Sequence, residues 1–160
     1  MALEIEKLLD TTGWQLLHAL QENARLSYSE LGQRVGLSSP AVAERIRRME
    51  DAGIISGYHA EINLAKVGYP ITAIIRMNTS PGERCTSFTG FVENMPEVLT
   101  CYRVTGSDSL IMKVMVSSVE HLESLIDQLE AHGRLTTSIV LSTPVGRRIV
   151  MPLRDMVEEK

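Results

Sequence analysis

An α+β fold in two parts is predicted. Residues 1–57 read as a winged-type helix-turn-helix domain, 58–68 as a hinge, and 69–160 as a ferredoxin-like βαββαβ domain. Three observations carry this reading. Two short amphipathic helical patterns flank a tight corner at Gly36. From Ile71 onward, runs with strand character alternate with helical patterns in the order β-α-β-β-α-β. Finally, 160 residues with 44% hydrophobic content suit one domain or two small ones, each with its own core. Aromatic residues are only 4%, so aliphatic side chains must fill those cores.

The bulk properties exclude several classes. Mean hydropathy is near zero, and no apolar run approaches the roughly 20 residues that span a bilayer. The opening stretch MALEIEKLLD is acidic and amphipathic, unlike a secretory signal, so the cytoplasm is the expected compartment. Cys85 and Cys101 are far apart and read as reduced thiols. The net charge is −4, and it is not segregated. Residues 1–57 hold 6 Lys+Arg against 8 Asp+Glu, and the rest hold 10 against 12. The charge argues against a polybasic arm, so any nucleic-acid contact must come from a local patch.

In the first third, three helices are predicted. After the turn-like Asp10-Thr11-Thr12-Gly13, the residues Leu16, Leu17 and Leu20 share one helical face, with Trp14 beside them. Ser27-Tyr28-Ser29-Glu30 matches a capping box that opens a second helix, on which Leu31 and Val35 form an i, i+4 pair. Gly36 closes it in the left-handed conformation that glycine favours. A third helix begins at once, with Ser38 or Ser39 as N-cap and Pro40 at the first helical position, and it ends at Gly53. A strand is expected to start at Gly53-Ile54-Ile55, and the chain to stay extended from Ile55 to Ile62.

On a wheel of about 100° per residue, Val42, Ile46 and Met49 of the third helix fall together as a core stripe. Ala41, Glu44, Arg45 and Arg48 form a separate face, and Arg47 points away from both. A face that pairs small with basic residues near a helix N-terminus suits major-groove reading. The small residues allow close approach, and arginine bonds guanine O6 and N7 in bidentate fashion. Two plainer readings stand beside it: arginines solvated on an exposed face and paired with Glu44 or Glu50, and a helix-turn-helix that docks protein without binding DNA.

In the remainder, Ile71–Asn78 reads as a strand with Ile71, Ala73, Ile75 and Met77 on one face, followed by a turn at Ser80-Pro81-Gly82. Phe88, Phe91, Val92 and Met95 give a helix stopped by Met95-Pro96. Strands Val98–Thr105 and Leu110–Val116 are joined through Gly106-Ser107-Asp108-Ser109. Val119, Leu122, Leu125, Ile126 and Leu129 mark a second helix ended by Gly133, and Thr136–Thr143 is the last strand. Both helices cover one sheet face, yet Ile74, Leu99, Ile111, Met115 and Val140 remain for the other. An open antiparallel face should alternate more cleanly, so self-association through the sheet as a two-fold dimer is expected. The PVGRRIVMPL stretch after Pro144 either extends the last strand or packs on a neighbour.

This order of parts resembles the Lrp/AsnC (feast/famine) transcription regulators. The resemblance rests on Asp10, Leu26-Ser27, Glu30-Leu31, Gly36-Leu37-Ser38, Val42, Arg45-Ile46, Arg48-Met49-Glu50, Gly53-Ile54-Ile55 and Gly57-Tyr58. In the second half it rests on Val104-Thr105-Gly106 and Lys113-Val114. It covers essentially the whole chain, and its helix-turn-helix segment is the more specific part. It implies a cytoplasmic regulator of double-stranded DNA, dimeric and associating further, as far as octamers. Small ligands, often amino acids, would bind between effector domains. Carried onto this sequence, Ser38, Ser39, Ala41, Glu44, Arg45 and Arg48 are implied to face DNA, with Arg47 at a phosphate. Thr105, Gly106, Ser107, Asp108 and Ser109, with the adjoining Thr136, Thr137 and Ser138, are implied to hold the effector. The family often has Asp at the position of Gly13 and an acid at that of Ser109. Here the acid of that turn is Asp108, one position earlier, where it would pair with a ligand ammonium; a hairpin chosen for small polar residues explains the same turn.

Enzymatic motifs are absent from the sequence: no P-loop, no GxGxxG and no HExxH. No cofactor or metal is expected, since His18, His59, His121 and His132 are scattered. The sirohaem decarboxylase subunits are similar in their two-part architecture, and that alternative would enlist His59 with Arg76 or Arg103.

Overall fold

A computed structural model describes residues 2–79 and 85–153, the side chains of 2–4, 85–87 and 89 excepted. The chain forms two compact units, one built from residues up to Ala60 together with the segment from Val145, the other from Glu61–Pro144. The tail that the sequence leaves undecided therefore belongs with the helices. The observed division thus differs from boundaries drawn at 57, 68 and 160.

The first unit holds four helices: α1 (Ala2–Leu8), α2 (Thr11–Glu22), α3 (Tyr28–Val35) and α4 (Ser39–Asp51). Two details depart from the sequence reading. The opening stretch is itself helical, and Thr11–Gly13 is the first turn of α2 rather than a loop. Asp10 is the N-cap, its Oδ1 accepting the Gly13 N–H at 2.8 Å. The capping box of α3 forms as predicted. Ser27 Oγ accepts from the Glu30 N–H at 3.3 Å, and Glu30 Oε2 accepts from the Ser27 N–H at 2.7 Å. Gly36 ends α3 at φ 70°. In α4, Ser39 rather than Pro40 is the first residue.

Leu16, Ala19, Leu20, Leu31, Val42 and Ile46 form the core of this unit. Each leucine or isoleucine removed from water contributes roughly 1.5–3 kcal/mol. Gln21 ties the tail onto α2 with two hydrogen bonds, Nε2 donating to the Val150 carbonyl (3.1 Å) and Oε1 accepting its N–H (2.8 Å). Among the described residues no strand directly follows α4. Residues 53–62 run without a ladder, so the wing expected at Gly53–Ile55 is missing among the described residues. Extended backbone becomes a strand only where a second strand takes its hydrogen bonds, and no strand among the described residues pairs with this segment.

The second unit begins with a short 3-10 turn, Leu64–Val67, capped by Asn63. Then come β1 (Ile71–Thr79), α5 (Cys85–Val92), β2 (Val98–Arg103), β3 (Leu110–Val116), α6 (Val119–Glu130) and β4 (Gly133–Ile139). The turn predicted at Ser80-Pro81-Gly82 lies outside the described residues. The strands form one antiparallel sheet in the order β2-β3-β1-β4. This is the split βαβ arrangement that the element order predicts. Its core comprises Ala73, Ile75, Met77, Phe88, Val92, Met95, Leu110, Met112, Val114, Val116, Leu122, Leu125 and Leu129.

Several boundaries shift. The helix predicted to reach Met95 ends at Val92; Met95 is still buried, held through a turn whose N–H bonds the Val92 carbonyl. β2 stops at Arg103, short of Thr105. Gly133 opens β4 instead of closing α6, and β4 runs from Gly133 to Ile139 rather than from Thr136 to Thr143. The reason is steric: Gly133 pairs with Thr79, and a Cβ on it would lie 2.3 Å from the Asn78 carbonyl oxygen. Cys101 is a free, half-buried thiol whose pKa burial raises.

Candidate DNA-contacting face and effector loop

α4 buries Val42, Ile46 and Met49 against the rest of its unit, as its wheel predicts. The opposite surface is set by that anchoring. Ser38, Ala41, Glu44, Arg47 and Arg48 are exposed, whereas Ser39 and Arg45 are half-buried. Ser38 caps the helix through its backbone position alone; its hydroxyl makes no capping hydrogen bond.

The arginines have different surroundings. Arg47 bridges Glu44, through two hydrogen bonds of 3.1 and 2.8 Å, and Asp51 at 2.8 Å. Its hydrogen bond to Glu44 lowers the glutamate's pKa and raises its own. All three side chains are mostly in water, so this cluster adds little stability. Arg45 instead turns inward and pairs, through Nη2, with Asp10 Oδ1. Partial burial pushes the Asp10 carboxyl up, but the Gly13 amide and the Arg45 guanidinium outweigh it and hold the group below its ordinary value.

Two positions that frame this surface do not stand out in the helical pattern. Gly32 is buried inside α3, and the Leu37 N–H bonds its carbonyl at 3.0 Å, closing the turn between α3 and α4. The available signal was a glycine within a helix interior, where it is unfavourable by about 1 kcal/mol relative to alanine unless close packing requires it. Tyr58 is the second; its hydroxyl donates to Glu50 Oε1 at 2.9 Å. Partial burial first, then the hydrogen bond to Glu50 and its charge, push this phenol from 10.0 up to about 12. A raised pKa contributes stability that is fully present below pH 10 and is lost as pH rises through about 12. Ultraviolet titration should find Tyr58 ionising late, and Glu50→Gln should lower its midpoint; an unmoved midpoint would separate Glu50 from the effect.

In the second unit, Arg103, Val104, Thr105, Gly106, Ser107, Asp108 and Ile111 line an open concavity at the β2–β3 connection. Gly106 adopts φ 116° there. The loop is tied down rather than loose. The Ser109 N–H bonds the Met77 carbonyl at 2.8 Å, its carbonyl accepts the Val104 N–H at 3.0 Å, and Asn78 Nδ2 donates to the Ser107 carbonyl at 3.0 Å. Thr136, Thr137 and Ser138 do not adjoin it. They pair with Arg76, Ile75 and Ile74 on β4, across β1 from the loop, while the β4 residues nearest the loop's anchor are Gly133 to Leu135. Thr137 faces the helix side, with Ile75, and Thr136 and Ser138 face the other. The sheet order, which puts β1 between β4 and β3, is what separates these three from the loop.

The uncovered sheet face is less apolar than expected. Ile74, Ile111 and Met115 are half-buried on it, but Arg76 and Lys113 alternate with them. Arg76 pairs with Ile111 and Arg103 with Leu110, so the two arginines lie on opposite faces; His59 belongs to the other unit. No group of three or more His, Cys, Asp or Glu able to hold a metal occurs among the described residues. No helix there is long and apolar enough to cross a membrane.

Residues 9–50 match the AsnC-type helix-turn-helix domain, and residues 72–150 match the Lrp/AsnC ligand binding domain. The chain is 44% identical to the HTH-type transcriptional regulator YezC of Bacillus subtilis, over 84% of this chain and 95% of that protein. It is 31% identical to the regulatory protein AsnC of Escherichia coli, over 89% and 96%. Among solved structures, a feast or famine regulatory protein from Mycobacterium tuberculosis complexed with L-methionine superposes with TM-score 0.84 at 33% identity, over 90% of this chain and 99% of that one. A transcriptional regulator from Neisseria meningitidis, also in complex with L-methionine, gives 0.84 at 29%, over 92% and 99%. With both halves matched in order on the fold described, the chain belongs to the Lrp/AsnC family of helix-turn-helix transcription regulators.

Proposed function

We propose that this regulator binds specific double-stranded DNA sequences through the exposed surface of α4, as a dimer or higher oligomer, and responds to an amino acid or other small effector. One observation carries the DNA reading. α4 is anchored by three buried residues and presents at its N-terminal end a surface of small and polar groups: the Ser38 hydroxyl, which makes no capping bond, Ser39 and Ala41, followed one and two turns later by Glu44 and Arg48. That is the geometry by which a recognition helix enters the major groove. Arg47, spanning Glu44 and Asp51, is suited to a phosphate at the rim.

The test is fluorescence anisotropy of the purified protein on duplex DNA from upstream of its own gene, against a random duplex, at two salt concentrations. Specific binding that weakens with salt is expected. Equal affinity for both duplexes would overturn the reading and favour a protein-docking module.

The effector reading is supported by the concavity at Thr105–Asp108 and by the L-methionine complexes of the two similar structures. Asp108 would meet the ligand's ammonium group. Repeating the binding curves with the common amino acids should shift the midpoint for at least one, and Asp108→Ala should abolish that shift; a shift that survives would move the site elsewhere.

The oligomer reading rests on the open sheet face, where Ile74, Ile111 and Met115 remain partly exposed. An Ile111→Asp variant should sediment as a smaller species, because a carboxylate would have to be desolvated on association. An unchanged sedimentation coefficient would sink association through this face.

A further inference from the structure

Arg45 is the least exposed side chain of the candidate recognition surface that carries a charge. It is 25% exposed, against 60% for Arg47. Its Nε is buried with no hydrogen-bond partner among the described residues, and its Nη2 is committed to Asp10. An arginine that reads a base must present its planar fork outward for two parallel hydrogen bonds. This one is directed into its own unit. The acceptor is not a stray surface carboxylate. The same Asp10 oxygen accepts the Gly13 N–H and so caps α2.

The surroundings make this a fixed point between two helices. A Cβ on Gly13 would lie 1.8 Å from the Leu8 carbonyl oxygen and 3.0 Å from Met49 Cε, so the first turn of α2 passes close to α4 where the pair sits. Val42, Ile46 and Met49 anchor one face of α4 in the core, and the Arg45–Asp10 pair adds a directional tie from the flank of the helix to the capped start of α2.

We propose that Arg45 is a positioning residue: its pair with Asp10 fixes the rotation of α4 about its own axis and thereby aims Ser38, Ser39, Ala41 and Arg48 at the DNA, while Arg45 itself touches no base. This rests on the DNA-binding reading above. It also changes the role that the sequence assigns to Arg45.

The experiment uses the full chain and a duplex that the unaltered protein enriches from a random-sequence library. Anisotropy gives the ratio of affinities for that duplex and a random one, at a temperature where circular dichroism shows each variant folded. A role confined to fold stability would leave this ratio alone. Asp10→Ser keeps a capping oxygen but removes the charge. Arg45→Ala and Asp10→Ser should each lower the ratio roughly tenfold, and the double variant no further, which is a coupling of about 1.4 kcal/mol. Additive losses overturn the proposal. So does a ratio that Asp10→Ser leaves unchanged or raises while Arg45→Ala lowers it, since Arg45 would then meet DNA directly. A ratio unmoved by Arg45→Ala also overturns it. If Arg45→Ala fails to fold, Asp10→Ser decides alone, and if Asp10→Ser fails, Asp10→Asn takes its place: a lowered ratio supports positioning, because Arg45 is then intact and only its tie is lost, and an unchanged ratio rejects it. If the unaltered protein enriches no sequence at all, the DNA reading itself falls, and that outcome is visible before any variant is made.

Discussion

Replacing Gly32 by alanine should destabilise the helix-turn-helix unit by roughly 2 kcal/mol or more and abolish DNA binding at moderate temperature. Helix propensity argues the other way, since alanine in a helix interior gains about 1 kcal/mol over glycine. Packing decides the sign. The added Cβ would stand 2.3 Å from the Leu37 carbonyl oxygen and 3.6 Å from Val42 Cγ2. The first of these atoms is backbone and cannot rotate away. The Leu37 N–H is hydrogen-bonded to Gly32 itself at 3.0 Å, so the turn must open for the methyl to fit. Opening it displaces the start of α4, where Ser38 and Ser39 lie. A lower denaturant midpoint with an unchanged slope would register the loss. A variant as stable as the parent would show that the turn has slack that the packing does not suggest.

Phe88→Ala should cost about 3–5 kcal/mol in the second unit, the range for emptying a large buried aromatic. Phe88 is 1% exposed and is among the largest fully buried side chains. Its ring lies 5.0 Å from that of His132 and 5.9 Å from that of Phe91, so α5 and the residues after α6 both collapse toward the vacated volume only in part. The cores of the two units share no residue. Trp14, the chain's one tryptophan, sits in the first unit. Tryptophan fluorescence and circular dichroism should therefore report separate transitions in this variant, with the circular dichroism transition the earlier. Coincident transitions with a small shift would mean that the ring's space is refilled.

Much of this protein follows from local rules. The capping box at Ser27–Glu30, the left-handed Gly36, the buried stripe Val42-Ile46-Met49 and the alternation Ile71-Ala73-Ile75-Met77 each depend on residues within a few positions of one another. Such features are legible because helix and strand periods, and the chemistry of helix ends, act over that same range. The family could be read for the same reason: its signature is the helix-turn-helix pattern, which is local.

What the tertiary structure alone decided involves partners distant in sequence. The wheel places Arg45 on the DNA side of α4, yet its guanidinium is taken by Asp10, 35 positions earlier. The tail after Pro144 returns to α2 through Gln21, 129 positions away from Val150. The strand expected after α4 is missing among the described residues, because a strand depends on a pairing partner and not on its own residues alone. β4 extends back to Gly133, where only a residue without a side chain fits beside Asn78, and the sheet order sets β1 between Thr136–Ser138 and the β2–β3 loop. Periodicity states which face of an element is apolar. It does not state which charged or glycine residues meet across the fold, because ion pairs and close backbone approaches are properties of two segments brought together.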